Sequence, residues 1–319
     1  MSETKLNMGL QAAPLAEPAT AGIDSKQTTV GSVFVSNYPP YSAWNESVVS
    51  EVHRALGVQL RQDATLGLYL HIPFCRKRCK FCYFRVYTDK NSAEIDTYLN
   101  ALAKEVALYS AQPAIADRPL RFVYFGGGTP SYISVKHLKA LVNRVKQVMP
   151  WDAAEEVAFE CEPGTLTQKK LEAIKEIGVT RLSLGVENLN DEILAENGRA
   201  HLSKEVYRIA PWIKALAFSQ VNIDLISGMI GETWESWRET VKKTIELDPD
   251  SITVYQLELP FNTVYSKNIL GGAPLPVADW KLKREWHQYA FEQLAQAGYA
   301  QSSAYTVIKK DKPCRFVYR

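Results

Sequence analysis

Five cysteines occur in the 319-residue sequence, and three of them crowd into eight residues. The stretch His71-Ile-Pro-Phe-Cys75-Arg-Lys-Arg-Cys79-Lys-Phe-Cys82 has the spacing CxxxCxxC, whereas Cys161 and Cys314 stand far apart. An odd number with this distribution is not a disulfide framework, and thiols gathered this closely point to a metal. Three thiolates on one short loop hold three corners of a four-iron four-sulfur cluster and leave the fourth iron open to an exogenous ligand. Zinc is the rival, and its structural sites are closed by four ligands in two pairs. Here the second pair is missing, because Cys161 and Cys314 belong to no CxxC, and His71 would have to serve from a strand end.

A loop of that kind needs a scaffold, and the sequence around it has a clear rhythm. Apolar, β-branched segments recur as LGLYLHI (66–72), RFVYFGG (121–127), EVAFECEP (156–163), RLSLGV (181–186), QVNIDLI (220–226) and SITVYQLEL (251–259). Helical periods run between them. Asn91 with Glu94 forms a capping box ahead of Ile95, Leu99, Leu102 and Val106. Thr167 caps Leu171, Ile174 and Ile177, closed by Gly178, and Thr233 opens a run with Trp234, Trp237, Val241 and Ile245 on one face. Strands alternating with helices imply parallel βαβ units. The expected fold is α/β, a partial (β/α)6 barrel of parallel strands covered on both faces. Ligands gather where such strands end and helices begin, and the cysteine loop sits just after the first strand.

Composition bounds the rest. Apolar residues make up 46% and charged residues 23%, enough for a large core, and 37 Lys+Arg against 35 Asp+Glu leave a charge of +2. That balance gives no general electrostatic reason to expect a nucleic-acid partner or a membrane surface. The start MSETKLNMGL lacks the basic and apolar regions of a signal peptide, and no apolar run approaches the length of a membrane span. The expected location is the cytoplasm. Residues 1–30 read as a disordered leader, 31–65 as a strap on the main domain, and 66–265 as the barrel. Residues 266–319 read as a C-terminal helix carrying Trp286, Phe291 and Leu294, followed by the start of a further region.

CxxxCxxC with an aromatic residue before its last cysteine resembles the signature of the radical S-adenosylmethionine (SAM) enzymes. The flanking segments Tyr69-Leu-His71-Ile-Pro-Phe-Cys75, Tyr124-Phe-Gly-Gly-Gly-Thr-Pro130 and Asn222-Ile-Asp-Leu-Ile-Ser-Gly228 are similar to the HemN-like branch. That branch includes oxygen-independent coproporphyrinogen III oxidase, class C methyltransferases and a haem-binding relative. The resemblance spans about residues 66 to 260 and implies two cofactors, a 4Fe–4S cluster and SAM. In the family the open iron is chelated by the amino and carboxylate groups of SAM, and one electron then breaks a carbon–sulfur bond. The protein's share is orientation and exclusion of water.

The resemblance assigns residues. Cys75, Cys79 and Cys82 match the cluster ligands and Phe81 the position near adenine, while Tyr69 and His71 match residues at the same mouth. Gly127, Gly128 and Thr129 match the segment that contacts the methionine end of SAM, where glycines let backbone approach a ligand closely. Glu160 matches a carboxylate on the ribose hydroxyls, a role for which Glu162, on the same face of an ideal strand, is the competitor. Glu187 stands where many HemN-like members carry Gln; an ionised carboxylate accepts hydrogen bonds but cannot donate one. Arg199 matches an arginine directed at a carboxylate, and Asp224, inside an apolar strand, calls for a polar partner from SAM or substrate.

The implied function is reductive cleavage of SAM to act on an aromatic or tetrapyrrole-type small molecule, by oxidative decarboxylation or methyl transfer. The other reading is a haem-binding trafficking protein without turnover. Coproporphyrinogen oxidases usually place a fourth cysteine two residues after the third, and this sequence reads Cys82-Tyr83-Phe84. The sequence ends about where the family's smaller C-terminal domain begins, so that domain is expected to be truncated or absent. Arg76, Lys77, Arg78, Lys80 and Arg85 form either a solvated face or a dock for an acidic electron donor such as flavodoxin or ferredoxin.

Overall fold

The computed structural model describes residues 43–61 and 64–312. The leader expected over 1–30, the first part of the strap and Cys314 lie outside the described residues. Within the strap, Asn45 caps a short 3-10 turn leading into α1 (Val49–Leu56). Val48, Val49 and Val52 there remain about half exposed.

Six parallel strands follow: β1 (Leu66–Ile72), β2 (Leu120–Gly127), β3 (Glu156–Cys161), β4 (Arg181–Glu187), β5 (Gln220–Ser227) and β6 (Ser251–Gln256). They pair in chain order, so each crossover carries the chain to the neighbouring strand. The crossovers are built from α2 (Ser92–Ser110), α3 (Val135–Val148), α4 (Gln168–Glu176), the pair α5 (Asp191–Glu196) and α6 (Ser203–Leu216), and α7 (Trp234–Leu247). Asn91, Thr167 and Thr233 cap α2, α4 and α7 with their side chains, as their spacing predicts.

After β6 come α8 (Val264–Leu270), α9 (Trp280–Gln296) and two short strands, β7 (Tyr299–Gln301) and β8 (Thr306–Lys309). These two form a hairpin that pairs antiparallel with β6. The eight-stranded sheet therefore runs β1-β2-β3-β4-β5-β6-β8-β7, with β1 and β7 at its two ends. The core lies outside this arc. Leu70, Ile72, Val123, Phe125, Phe159, Leu182, Ile223 and Val254 on the strands pack against Leu99, Leu138, Leu141, Ile174, Ile209, Trp237 and Trp286 on the helices.

The opposite strand face departs from the expectation of a sheet buried on both sides. In β1 the pattern alternates, with Leu70 and Ile72 buried while Tyr69 is 52% exposed. Because successive side chains point to opposite faces, the concave face receives Tyr69, Tyr124, Glu160, Ser183, Asp224 and Thr253. It is a polar interior. Arg181 and Glu156 pair across it at 2.8 Å, each side chain 4% exposed. Asn222 bridges β4, β5 and β6 by donating to Ser183 Oγ and Asp224 Oδ1 and accepting from Ser251 Oγ. No helix among the described residues is long and apolar enough to cross a membrane.

Candidate cofactor site at the strand ends

The cysteine loop leaves β1 at Ile72 and is held along its length. Cys75 N donates to Tyr87 O, Gly128 N donates to Ile72 O, and Lys80 N donates to Asn197 O, at 3.0, 2.9 and 3.1 Å. Its basic side chains are largely committed. Arg76 Nε and Nη2 each donate to Glu162 at 3.0 Å, and Nη2 also donates to Ala200 O. Arg78 donates to the carbonyls of Cys82 and Asn262, and Lys80 pairs with Glu196 at 3.0 Å. Lys77 is the exposed cation of this stretch that carries no such tie among the described residues.

All three loop thiols line one cavity of about 580 Å3, together with Phe81, Gly127, Gly128, Thr129, Glu160, Glu187, Arg199 and Asp224. Two neighbours reach the sulfurs directly: Thr129 Oγ1 donates to Cys75 Sγ at 3.2 Å and Arg199 Nη1 to Cys79 Sγ at 3.4 Å. Burial pushes the Cys82 thiol up to about 11 and raises Cys75 as well; a bound metal cation favours the thiolate in each case. Cys161 is buried in the wall and packs with the core.

Gly127 adopts φ +115°, and a Cβ on Gly128 would stand 3.0 Å from both Cys75 Sγ and the Pro73 carbonyl carbon. The second strand thus turns so close to the thiol that any side chain at Gly128 would have to push the cysteine loop aside. Glu160 accepts from the Tyr124 hydroxyl at 2.6 Å and from Gly127 N at 3.2 Å, and burial raises its carboxyl to about 7.

Glu162 behaves differently from Glu160. The strand stops at Cys161, and Glu162, still extended, caps the 3-10 turn Pro163–Thr165; both carboxylates line the one cavity, but that of Glu162 is committed to the turn and the loop. Both Glu162 oxygens are taken, by Arg76 and by Gly164 N at 2.9 Å, with His201 Nδ1 3.2 Å away. Burial alone would raise this carboxyl, but His201 and the Arg76 guanidinium draw it down to about 2. Glu162 is a tether for the loop.

Glu187 has φ +65° at the point where the β4–β5 register shifts. An irregularity of this kind re-aims a side chain beside a site. Burial raises its carboxyl to about 7, and its Oε1 lies 3.6 Å from Arg199 Nη2. Arg199 also donates to Gly185 O, and its Nε is buried without a hydrogen-bond partner among the described residues. Asp224 accepts from Ser183 Oγ and Asn222 Nδ2, both at 2.9 Å. Tyr69 lies outside the cavity lining; its ring stacks on Tyr124 at 5.8 Å and its hydroxyl is 3.2 Å from His71 Nδ1.

Several lining residues were not singled out from the sequence: Tyr255, Gln256, Glu258, Trp280 and Tyr305. Tyr255 and Gln256 are the last two residues of β6 and Glu258 lies just beyond it, so the placement rule applied to the other strands would have found them. Glu232 was also missed. It accepts from Asn188 Nδ2 and Gly228 N at 2.7 and 2.6 Å, joining the ends of β4 and β5.

A family model described as the Radical SAM superfamily matches residues 69–244. The chain belongs to the radical SAM superfamily. Its relatives place it in the HemN-like branch. It is 30% identical over 267 residues to an oxygen-independent coproporphyrinogen III oxidase of Synechocystis, covering 83% of this chain and 56% of that protein. It is 32% identical over 244 residues to the heme chaperone HemW of Bacillus subtilis, covering 72% and 63%. The structure of coproporphyrinogen III oxidase (HemN) from Escherichia coli superposes with a TM-score of 0.76 at 25% identity, over 90% of this chain and 65% of that one. The chain thus spans 56% to 65% of these relatives' own lengths.

Radical SAM proteins use a 4Fe–4S cluster and SAM, and this radical SAM chain has residues that fit both. Among the described residues no three His, Cys, Asp or Glu side chains converge on a single-ion position. Three thiols facing one cavity instead suit a body larger than one ion, held at three corners. The close backbone at Gly128, the buried acceptors Glu160 and Glu187 and the orphaned Arg199 Nε suit a polar ligand beside it.

Proposed function

We propose that this HemN-like chain is an enzyme that reductively cleaves SAM at a 4Fe–4S cluster held by Cys75, Cys79 and Cys82, and acts on an aromatic or tetrapyrrole-type substrate. The observation that carries this reading is the meeting of all three loop thiols with Gly127, Gly128, Thr129, Glu160, Glu187, Arg199 and Asp224 around one cavity. When bound, the reduced cluster supplies one electron that breaks a carbon–sulfur bond of SAM.

The protein's own tasks are positioning tasks. Arg76 and Glu162 fix the loop, Glu160 offers a carboxylate to ribose hydroxyls, Arg199 neutralises negative charge beside Cys79, and Phe81 covers one side against water. Reduction calls for a donor. Because Arg76, Arg78 and Lys80 are tied internally, docking of an acidic flavodoxin or ferredoxin rests on Lys77 and Arg85.

Anaerobic incubation of the reconstituted protein with labelled SAM and dithionite tests the reading. Release of 5′-deoxyadenosine supports it. Label alone in that product favours decarboxylation, and label entering a co-substrate as a methyl group favours transfer. Haem carriage is the second reading, favoured by the aromatic Phe84 two positions after Cys82; haem uptake with no SAM cleavage would establish it instead.

A further inference from the structure

The residues assigned to the cluster and SAM occupy only part of the cavity wall. They come from the ends of β1 to β5 and stop at Asp224; the far side is built by β6, the start of α9 and the turn of the β7–β8 hairpin. That side is aromatic. The rings of Tyr255 and Tyr305 lie 6.0 Å apart at 31°, too close to admit a ligand between them, so they form one continuous panel. Trp280 adds a second.

The segment joining these panels is fixed from behind. Lys283 on α9 is fully buried, donates from Nζ to Leu257 O at 2.6 Å and lies 4.6 Å from the Trp280 ring centroid. Its stem fills the space beside Gly228, where a Cβ would come within 2.8 Å of it. The backbone from Gln256 to Glu258 is thereby held against the cavity.

Two acceptors on this segment lack partners. Gln256 Oε1 and Glu258 Oε2 are buried with no hydrogen bond among the described residues. An unsatisfied buried acceptor is costly. The terminal torsions of Gln and Glu are broad, so a small turn brings either oxygen to a donor arriving in the cavity, at the edge of three aromatic rings.

We infer that Tyr255, Gln256, Glu258, Trp280 and Tyr305 form the substrate-recognition wall, and that it takes a flat aromatic molecule whose facing edge carries N–H donors or an ammonium, not a carboxylate. Apolar ring area meets Tyr255, Tyr305 and Trp280, while the donors satisfy Gln256 and Glu258. Gln256 can turn either its amide oxygen or its amide nitrogen to the ligand, so the discrimination rests on Glu258: a carboxylate on that edge would face its charge and leave its buried Oε2 unpaired. The inference rests on the proposed function only in assigning the opposite side of the cavity to SAM.

Two probes with one ring and opposite charge test it: tryptamine and indole-3-acetate, titrated into the SAM-loaded, cluster-reconstituted protein by calorimetry. Tryptamine is expected to bind at least about tenfold more tightly, the scale of a hydrogen bond to a charged group. Glu258→Gln should erase most of that preference, and Tyr305→Leu should weaken both probes together while keeping the ratio. Equal or tighter binding of indole-3-acetate, an unchanged ratio in Glu258→Gln, or no binding of either probe would overturn the inference. Release of 5′-deoxyadenosine from SAM by the same wild-type preparation reports separately on the proposed function, so failure of one is distinguishable from failure of the other.

Discussion

Replacing Glu162 by Gln preserves the shape of the tether and removes its charge. In the native chain two charge-assisted bonds of 3.0 Å join Glu162 to Arg76, and the carboxyl sits at about 2 against an ordinary 4.5. At ~1.4 kcal/mol for each tenfold step, that displacement corresponds to about 3 kcal/mol. His201 shares in drawing the carboxyl down, ahead of Arg76, and the Arg76 side chain is 38% exposed, so the part that falls to the tether, after solvent screening, is at most about 2 kcal/mol. Local opening of the cysteine loop should then become up to about thirtyfold more frequent.

Hydrogen–deuterium exchange at pH 7 reads this directly: peptides covering residues 75–82 should exchange faster in Glu162→Gln, while the centre of β3 is unchanged. A depressed carboxyl stabilises the fold fully above its unfolded value and loses that contribution as pH falls through its folded value. The difference between wild type and variant should therefore shrink between pH 4.5 and about 2. Loop exchange within about threefold of wild type at pH 7 would refute the tether.

Three further outcomes are expected. Cys75→Ala, Cys79→Ala and Cys82→Ala should each lose most bound iron after reconstitution, whereas Cys161→Ala, altering a buried thiol that packs with the core, should retain it; iron and sulfide analysis checks both. Gly128→Ala places a methyl group 3.0 Å from both Cys75 Sγ and the Pro73 backbone, so the cysteine loop must shift by a few tenths of an ångström to admit it. Equilibrium dialysis should show SAM affinity reduced by about tenfold or more, the lower range of an overpacking cost. Burial pushes the Lys283 ammonium down to about 8 from 10.5, so between these values the unfolded chain holds a proton that the folded chain lacks. Stability should rise with pH over that window, and thermal melts of Lys283→Met should lack the rise.

The strands and the caps at Asn91, Thr167 and Thr233 were legible because each rests on local chemistry, either β-branched runs or a side chain one turn from its backbone partner. The cysteine loop was legible for the same reason. What escaped depends on contacts distant in sequence or on breaks in periodicity. The β7–β8 hairpin has strands of three and four residues, too short to show alternation. Glu162 lines the same cavity as Glu160, and its commitment to Arg76, 86 residues away in the sequence, and to Gly164 N could not be read from strand alternation. The polar concave face was hidden inside LGLYLHI, since Gly67 and Tyr69 read as apolar in a run although they point away from the core. The aromatic wall needed α9 and the hairpin brought together with the end of β6.

The central claim is that three thiols of one loop hold a cluster with an iron left open for SAM. Electron paramagnetic resonance of the anaerobically reconstituted, dithionite-reduced protein, recorded with and without SAM and accompanied by iron and sulfide analysis, tests it most directly. The account predicts about four irons and four sulfides per chain and a reduced-cluster signal whose shape changes when SAM is added. Iron-free protein, or a cluster signal that SAM leaves unaltered, would contradict it.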